Sequence, residues 1–385
     1  MNKKSTKSIY FILMILLLFL TSFSSCSKEK IKEINIGYIG PLSVRATDLG
    51  VEPSNAMLLA IEIYNTSRSI DEPKINLFIE DDKWEEENAV IAYQNLRKKH
   101  NIDVVFISNT DGTIAVSDKV LKDKVVLVNP LNNGELFGAL NKNTFNIAKS
   151  TEEANGLIAI RLIELAHKKV VLFQYPNSFM AIAAKEVKRI LEESNIEIEI
   201  IVTEKGNTNF KEELKRLQKE NYDGYVFFGY KELGFAMKQA RDMGITAPFF
   251  GSTVLLDPQF YENSEGEIVN TEFTYFTPAD GNYVLAREFL KAYENKFNKK
   301  PYSVWPAMQA YDAMNILLSQ LRTINKSKKE EEPFDDWLRK ALYEVNYYQG
   351  VCGNIAITKN GTSKGIYFSL YNYESKDRPF VKVKR

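Results

Sequence analysis

Few groups in this chain are spaced for catalysis. Gly361-Thr-Ser363-Lys-Gly365 fits the G-x-S-x-G pattern, in which a serine nucleophile sits on a strand-to-helix turn. Here the pattern follows Asn360-Gly361 and leads into the strand-like IYFSLY, so it reads as a hairpin turn. A serine hydrolase using Ser363 stays as a minor alternative. The two histidines, His100 and His167, sit at predicted helix ends beside lysines, where an imidazole satisfies terminal carbonyls. No G-x-G-x-x-G follows the first predicted strand, and Pro41 lacks the backbone donor needed next. No phosphate loop ending Gly-Lys-Ser/Thr and no His-Glu-x-x-His occurs. These patterns point to binding rather than catalysis, with no cofactor and no metal expected.

Cys26 is the exception. It follows an unbroken apolar run, residues 9–20, itself preceded by Lys3, Lys4 and Lys7, with no acid before residue 26. Twelve apolar residues are short for a membrane span, which needs roughly 20. A basic head, an apolar middle and the small Ser24-Ser25 exit fit a secretion signal. The pattern resembles a bacterial lipoprotein signal, with Phe23 where leucine is usual. The resemblance implies removal of residues 1–25, acylation of Cys26 and a short tether over 26–30. An ordinary secretion signal with Cys26 incidental is the other reading. Either way the protein is expected outside the cytoplasm, facing the periplasm or the cell exterior.

Removing that segment leaves about 360 residues, more than one hydrophobic core usually serves, so two domains are expected. The chain has 50 basic and 50 acidic residues, and without the three lysines of the signal the balance is 47 against 50, a net of −3. That charge gives no footing for nucleic acid. With Cys26 acylated, Cys352 is the only thiol left, so no intramolecular disulfide staples the exported fold.

Hydrophobic periodicity then supplies the elements. Strands are predicted over 31–40, 75–81, 102–108 and 124–129, alternating with helices over 55–64, 82–99 and 113–121. Asp82 with Glu85 reads as the capping box of the second of these helices. The rhythm restarts with Ser150 and Glu153 capping a helix over 154–166. Strands over 168–173, 196–202, 222–229 and 247–252 follow, separated by a helix opening at Ser178, one capped by Asn209 with Glu212 and one from Glu232. Two long helical segments, 284–297 and 304–321, precede a hairpin over 353–371. Continuous Val/Ile strands mean parallel sheets covered on both faces. The fold class is α/β, with two doubly wound parallel-sheet lobes in series; if their carboxyl edges face each other, the cleft between them becomes a site. Such sheets bind ligands beyond the carboxyl ends of their strands. Tyr175, Phe179 and Tyr230 fall just past two of those ends, where aromatic rings either close over a ligand, cover a cation or pack the lobe edge. Arg45, in the loop after the first strand, is either a forked donor to a carboxylate or a solvated loop arginine.

The order of segments INIGYIGPLS, NAMLLAIEIYN, IEDD, AVIAYQNL, DGTIAV, VNPLNN, VLFQYPNSF, DGYVFFGYKELGFAMKQARDMG, PYSVWPAMQAYDA and YQGVCGNIAIT resembles type I periplasmic binding proteins. The branch is that of leucine/isoleucine/valine-binding proteins and other amino-acid receptors of ABC importers. The resemblance implies a three-stranded hinge dividing the chain into lobe one (31–148 and 276–345) and lobe two (149–275 and 346–385). It implies a monomer that binds a small molecule, an amino acid or related metabolite, by closure and hands it to an ABC permease. Hydroxyls and backbone donors near Asn109, Asp111, Thr113, Asn132 and Asn133 would hold the ligand carboxylate. Asn132 and Asn133 stand where Ser or Thr is common, and Asp111 adds a negative charge. Glu232 matches the acid that holds the ligand ammonium, its other reading being a glutamate at a helix start, where the dipole favours it. Trp305 is a weaker candidate, its other reading being a core residue. A ligand sensor or regulatory partner on the same fold is the alternative function.

Overall fold

The structure is a computed structural model that describes residues 30–132, 134, 140–276, 283–366, 368–376 and 381–383. β1 (Glu33–Gly40), β2 (Lys74–Asp81), β3 (Val104–Ile107), β4 (Val126–Asn129) and β5 (Thr144–Asn146) form a parallel sheet in the order β2-β1-β3-β4-β5. Every residue of β3 and β4 is buried. Alternate residues serve two separate cores, as the two-residue period of a strand requires. Val104, Phe106, Val126 and Val128 pack with the helices Asp48–Ser67 and Val304–Leu321. Val105, Ile107 and Leu127 pack with Glu86–His100 and Thr110–Asp123.

The second sheet starts with β6 (Lys169–Gln174), β7 (Glu197–Val202), β8 (Gly224–Phe228), β9 (Phe249–Gly251) and β10 (Glu272–Phe276). β11 (Tyr348–Gln349), β12 (Gly353–Ile357) and β13 (Ser363–Ile366) make a small antiparallel sheet of their own. β14 (Phe368–Asn372) and β15 (Val381–Lys382) return to the second sheet, whose order is β15-β14-β10-β9-β8-β6-β7. It is parallel from β7 to β10 and antiparallel at β14 and β15. The central orders β2-β1-β3-β4 and β7-β6-β8-β9 repeat one winding. Each sheet therefore has its switch point between its first and third strands, β1/β3 and β6/β8.

Four local expectations change. Asp82 and Glu85 form no capping box: Glu85 precedes the helix without a side-chain cap, and Asp82 Oδ1 instead accepts from Trp84 N at 2.9 Å. That bond closes a turn in which Lys83 and Trp84 both have positive φ, 53° and 64°. The helix predicted from residue 55 starts at Asp48, because Tyr38 Oη donates to Gly50 O at 2.9 Å and anchors the extra turns. Gly50 is needed there, since a Cβ would lie 1.9 Å from Pro41 O. Asn209 and Glu212 form no capping box: Phe210 precedes that helix without a side-chain cap, and Asn209 Oδ1 accepts from Lys211 N at 3.3 Å, whereas Ser178 opens its helix as expected, capped by Asn177, whose Oδ1 accepts from Met180 N at 2.9 Å. Finally, the segment predicted as one hairpin strand over 365–371 is shared between sheets. β13 pairs with β12, and β14 pairs antiparallel with β10, setting Tyr371 against Tyr275 at 5.9 Å between ring centroids. The Ser150 cap is as expected, with Oγ accepting from Glu153 N at 3.1 Å.

Bonds near residue 147 tie the first sheet to the small one. Asn146 N donates to Gly361 O at 2.8 Å. Ala148 N donates to Ser363 Oγ at 3.0 Å, and that hydroxyl donates back to Ala148 O at 2.8 Å. Ser363 is thus a buried brace on β13, as the hairpin reading of its motif anticipates. Among the described residues, no helix is long and apolar enough to cross a membrane.

Candidate functional site

The loops at the two switch points meet around a narrow cavity of about 20 Å³, room for about one water molecule. From the first sheet's side come Leu49, Trp84, Asn109, Thr110, Asp111, Leu131, Asn132 and Trp305. The second sheet's side adds Asn177, Phe179, Tyr230 and Val254.

The polar wall beyond β3 and β4 is built from short side chains that fix one another. Asn109 caps the helix Thr110–Asp123, its Oδ1 accepting from Asp111 N at 3.0 Å and Gly112 N at 3.3 Å. Asn129, the last residue of β4, accepts from Leu131 N and Asn132 N, both at 2.9 Å. Its amide donates to Thr113 Oγ1 at 2.9 Å, and the Asn132 amide donates to Thr110 Oγ1 at 2.8 Å. Two loops are thereby held as one unit, with helix-start N–H groups near the cavity, an arrangement that favours an anionic group.

Aromatic rings form the opposite wall. Tyr230 stands edge-on to Tyr175 at 4.9 Å and to Trp84 at 6.3 Å between centroids. Asn177 Nδ2 donates to Tyr230 Oη at 3.1 Å. Burial raises the Tyr230 hydroxyl well above its ordinary pKa and also raises that of Tyr175, so both remain neutral donors. Arg45 donates to Tyr175 Oη at 3.1 Å, to Glu85 at 2.5 Å and to Trp84 O at 3.4 Å.

Of the residues singled out in the sequence, Asn109, Asp111, Asn132, Phe179 and Tyr230 line the cavity, as does Trp305. Thr113 lies behind the wall, fully buried, its hydroxyl donating to Asn109 O at 2.8 Å. Arg45 and Tyr175 sit at the rim, bonded to each other. Glu232 opens the helix Glu232–Asp242, and its Oε2 is buried without a hydrogen-bond partner. Cys26 and Asn133 lie outside the described residues.

The sequence reading missed Trp84 and Lys149. Trp84 was absorbed into a supposed helix cap. The neighbouring Asp82 carboxyl is pushed up to about 6 by burial, and its Oδ2 has no partner. Lys149 lies on the crossing after β5 with 2% of its surface exposed. Its Nζ donates to Thr253 Oγ1 at 2.9 Å and lies 4.2 Å from the Trp305 ring centroid. Burial pulls its pKa down to about 7. Among the described residues, no group of three or more His, Cys, Asp or Glu is placed to hold a metal.

Fold and site together define a two-lobed α/β protein with a cavity between its lobes. The family described as periplasmic binding protein matches residues 33–372, and the chain belongs to it. Curated proteins give no significant match. Solved structures do. The leucine-binding protein LivK of Thermotoga maritima is 17% identical, with TM-score 0.79, over 91% of this chain and 98% of that one. The branched-chain amino acid transporter substrate-binding protein LivJ of Streptococcus pneumoniae, in complex with isoleucine, is 22% identical, with TM-score 0.74, over 91% and 100%. A solute-binding protein of an ABC transporter from R. palustris, in complex with benzoate, is 15% identical, with TM-score 0.77, over 91% and 95%. These likenesses bear out the type I periplasmic binding protein fold expected from the segment order.

Proposed function

We propose that this protein is an extracytoplasmic solute-binding lipoprotein that captures a small amino-acid-like ligand and delivers it to an ABC importer without catalysis of its own. The observation that carries the reading is the cavity walled by both lobes, with polar loops on one side and aromatic rings on the other. Closure joins those walls, and it is stabilised only by contacts the ligand makes with both. The division at residues 148/149, 275/276 and 345/346 gives three crossings about which the lobes rotate. In this reading Glu232, with an unpartnered oxygen, faces the ligand ammonium. Cys26 carries the acyl anchor, and the protein works as a monomer beside its permease.

A thermal-shift screen against amino acids and small carboxylates tests the reading. A true ligand at 100 times its Kd adds about 2.7 kcal/mol, a clear rise in Tm. If no compound of the screen moves Tm up to millimolar concentration, the receptor reading is lost.

A further inference from the structure

We propose that Lys149 is a carboxylate anchor in the cleft floor, pairing with an anionic group of the bound ligand. This rests on the cavity being the ligand site. Lys149 is held at the crossing between the two sheets: its backbone N donates to Gln309 Oε1 at 2.6 Å, and the preceding Ala148 is braced both ways by Ser363. Its side chain leaves almost no surface exposed and ends against two rings, Trp305 at 4.2 Å and Phe179 at 6.0 Å. Both rings line the cavity, as does Val254, next to the threonine that Lys149 bonds. The ammonium therefore lies directly behind the cavity lining, against two of the rings that form it.

An ammonium has three N–H donors, and Thr253 Oγ1 takes one. Among the described residues, no carboxylate lies within 4.0 Å of Nζ, the ion-pair limit met by the chain's other salt bridges. A buried cation without a counter-charge is costly unless it loses its proton or something supplies the charge. A ligand carboxylate supplies it and accepts the remaining donors. The ring faces add attraction for the cation without competing for its protons. Burial already brings the group to the edge of deprotonation near neutrality, so the anchor is charged when an anion arrives and loses its charge readily when none does.

The test is calorimetric titration and thermal shift of the full chain with paired probes: leucine and leucinamide, phenylalanine and phenylalaninamide, benzoate and benzamide. A carboxylate that binds while its amide does not supports the anchor. Lys149→Met then weakens that carboxylate at least about 30-fold, the loss typical of truncating one partner of a buried charge pair, while Lys149→Arg retains part of the binding. If Lys149→Met fails to fold, the wild-type acid-to-amide ratio still decides, because a ratio near one overturns the proposal. A carboxylate held equally by wild type and a folded Lys149→Met also overturns it. Binding of amides or amines alone does so too, and leaves the cleft reading standing. Binding of nothing in the panel overturns the anchor and the cleft reading together.

Discussion

The Arg45 guanidinium donates to the Tyr175 hydroxyl at 3.1 Å, so the loop after the first strand of one sheet grips the loop after the first strand of the other. No other residue of Arg45's set comes from the second sheet, since Glu85 and Trp84 follow β2. In the proposed closure this bond forms as the lobes meet. Tyr175→Phe keeps the edge-on ring contact with Tyr230 and removes the hydroxyl alone. A net hydrogen bond of about 1 kcal/mol, somewhat more to a charged donor, corresponds to roughly 5- to 10-fold in Kd. Ligand titration should show that loss with an unchanged ligand-free Tm. An unaltered Kd would mean that the rim contact does not contribute to closure.

Glu232 gives the second expectation. One carboxylate oxygen is buried and unpartnered at the start of its helix. Glu232→Gln keeps size and hydrogen bonding and removes the charge. If the ligand carries an ammonium, breaking the pair from one side costs about 2–5 kcal/mol, or roughly 30- to several-thousand-fold in Kd. The fold should be little affected, because the residue is only half-buried. Weakening below about threefold returns Glu232 to the role of a helix-start acid favoured by the dipole.

The switch-point loops were legible because buried parallel strands read as apolar runs and mark their own carboxyl ends. Asn109, Asp111, Asn132, Phe179 and Tyr230 all follow such ends. Trp84 was not legible. An Asp followed three residues later by Glu looks the same whether it caps a helix or turns the chain, and the turn won through an Asx bond and two left-handed residues. Lys149 left no trace either. A lysine beside a serine cap has the look of a solvated residue, and its burial follows from Trp305 and Thr253, more than a hundred positions away. The split of the last hairpin depends likewise on β10 having an open edge.

Asp82 should make stability depend on pH. Burial raises its carboxyl from 3.8 to about 6, so the folded state holds a proton that the unfolded state has released between those values. Its effect is therefore absent below about 3.8, grows as an increasing cost through about 6, and is full above. Asp82→Asn should leave Trp84 N its acceptor and remove the buried charge. Chemical denaturation should show a gain on the order of 1–3 kcal/mol at pH 7 and none near pH 3.5. A gain equal at both pH values would contradict a titration origin.

Cys26 is tested apart from the cleft. Cys26→Ser should convert a detergent-partitioning protein into a soluble one, with ligand affinity unchanged. Firm anchoring needs two or more acyl chains, because one binds a membrane only marginally. Mass spectrometry of the N-terminal peptide should therefore show more than one acyl addition. Continued membrane retention of the serine variant, with an unmodified peptide, sinks the tether.

Lys149 should be a burden on the ligand-free fold. Burial lowers its pKa from 10.5 to about 7, so between these values the unfolded chain carries a proton that the folded chain lacks. Stability must then rise with pH across that window and stay flat below it. The full penalty, present at and below pH 7, is on the order of 3–5 kcal/mol at about 1.36 kcal/mol per unit. Lys149→Met has similar length, fits the slot between Trp305 and Phe179 and gives up only the Thr253 bond. Its ligand-free stability should exceed wild type most at pH 6, and the advantage should shrink steadily toward pH 10. That pattern, with binding lost in the same variant, is what a strained binding residue produces, since sites selected for function are rarely optimal for stability. If the variant is less stable at pH 6, or its difference from wild type does not change with pH, Lys149 is hydrated in the free protein and its charge is not held in a dry floor.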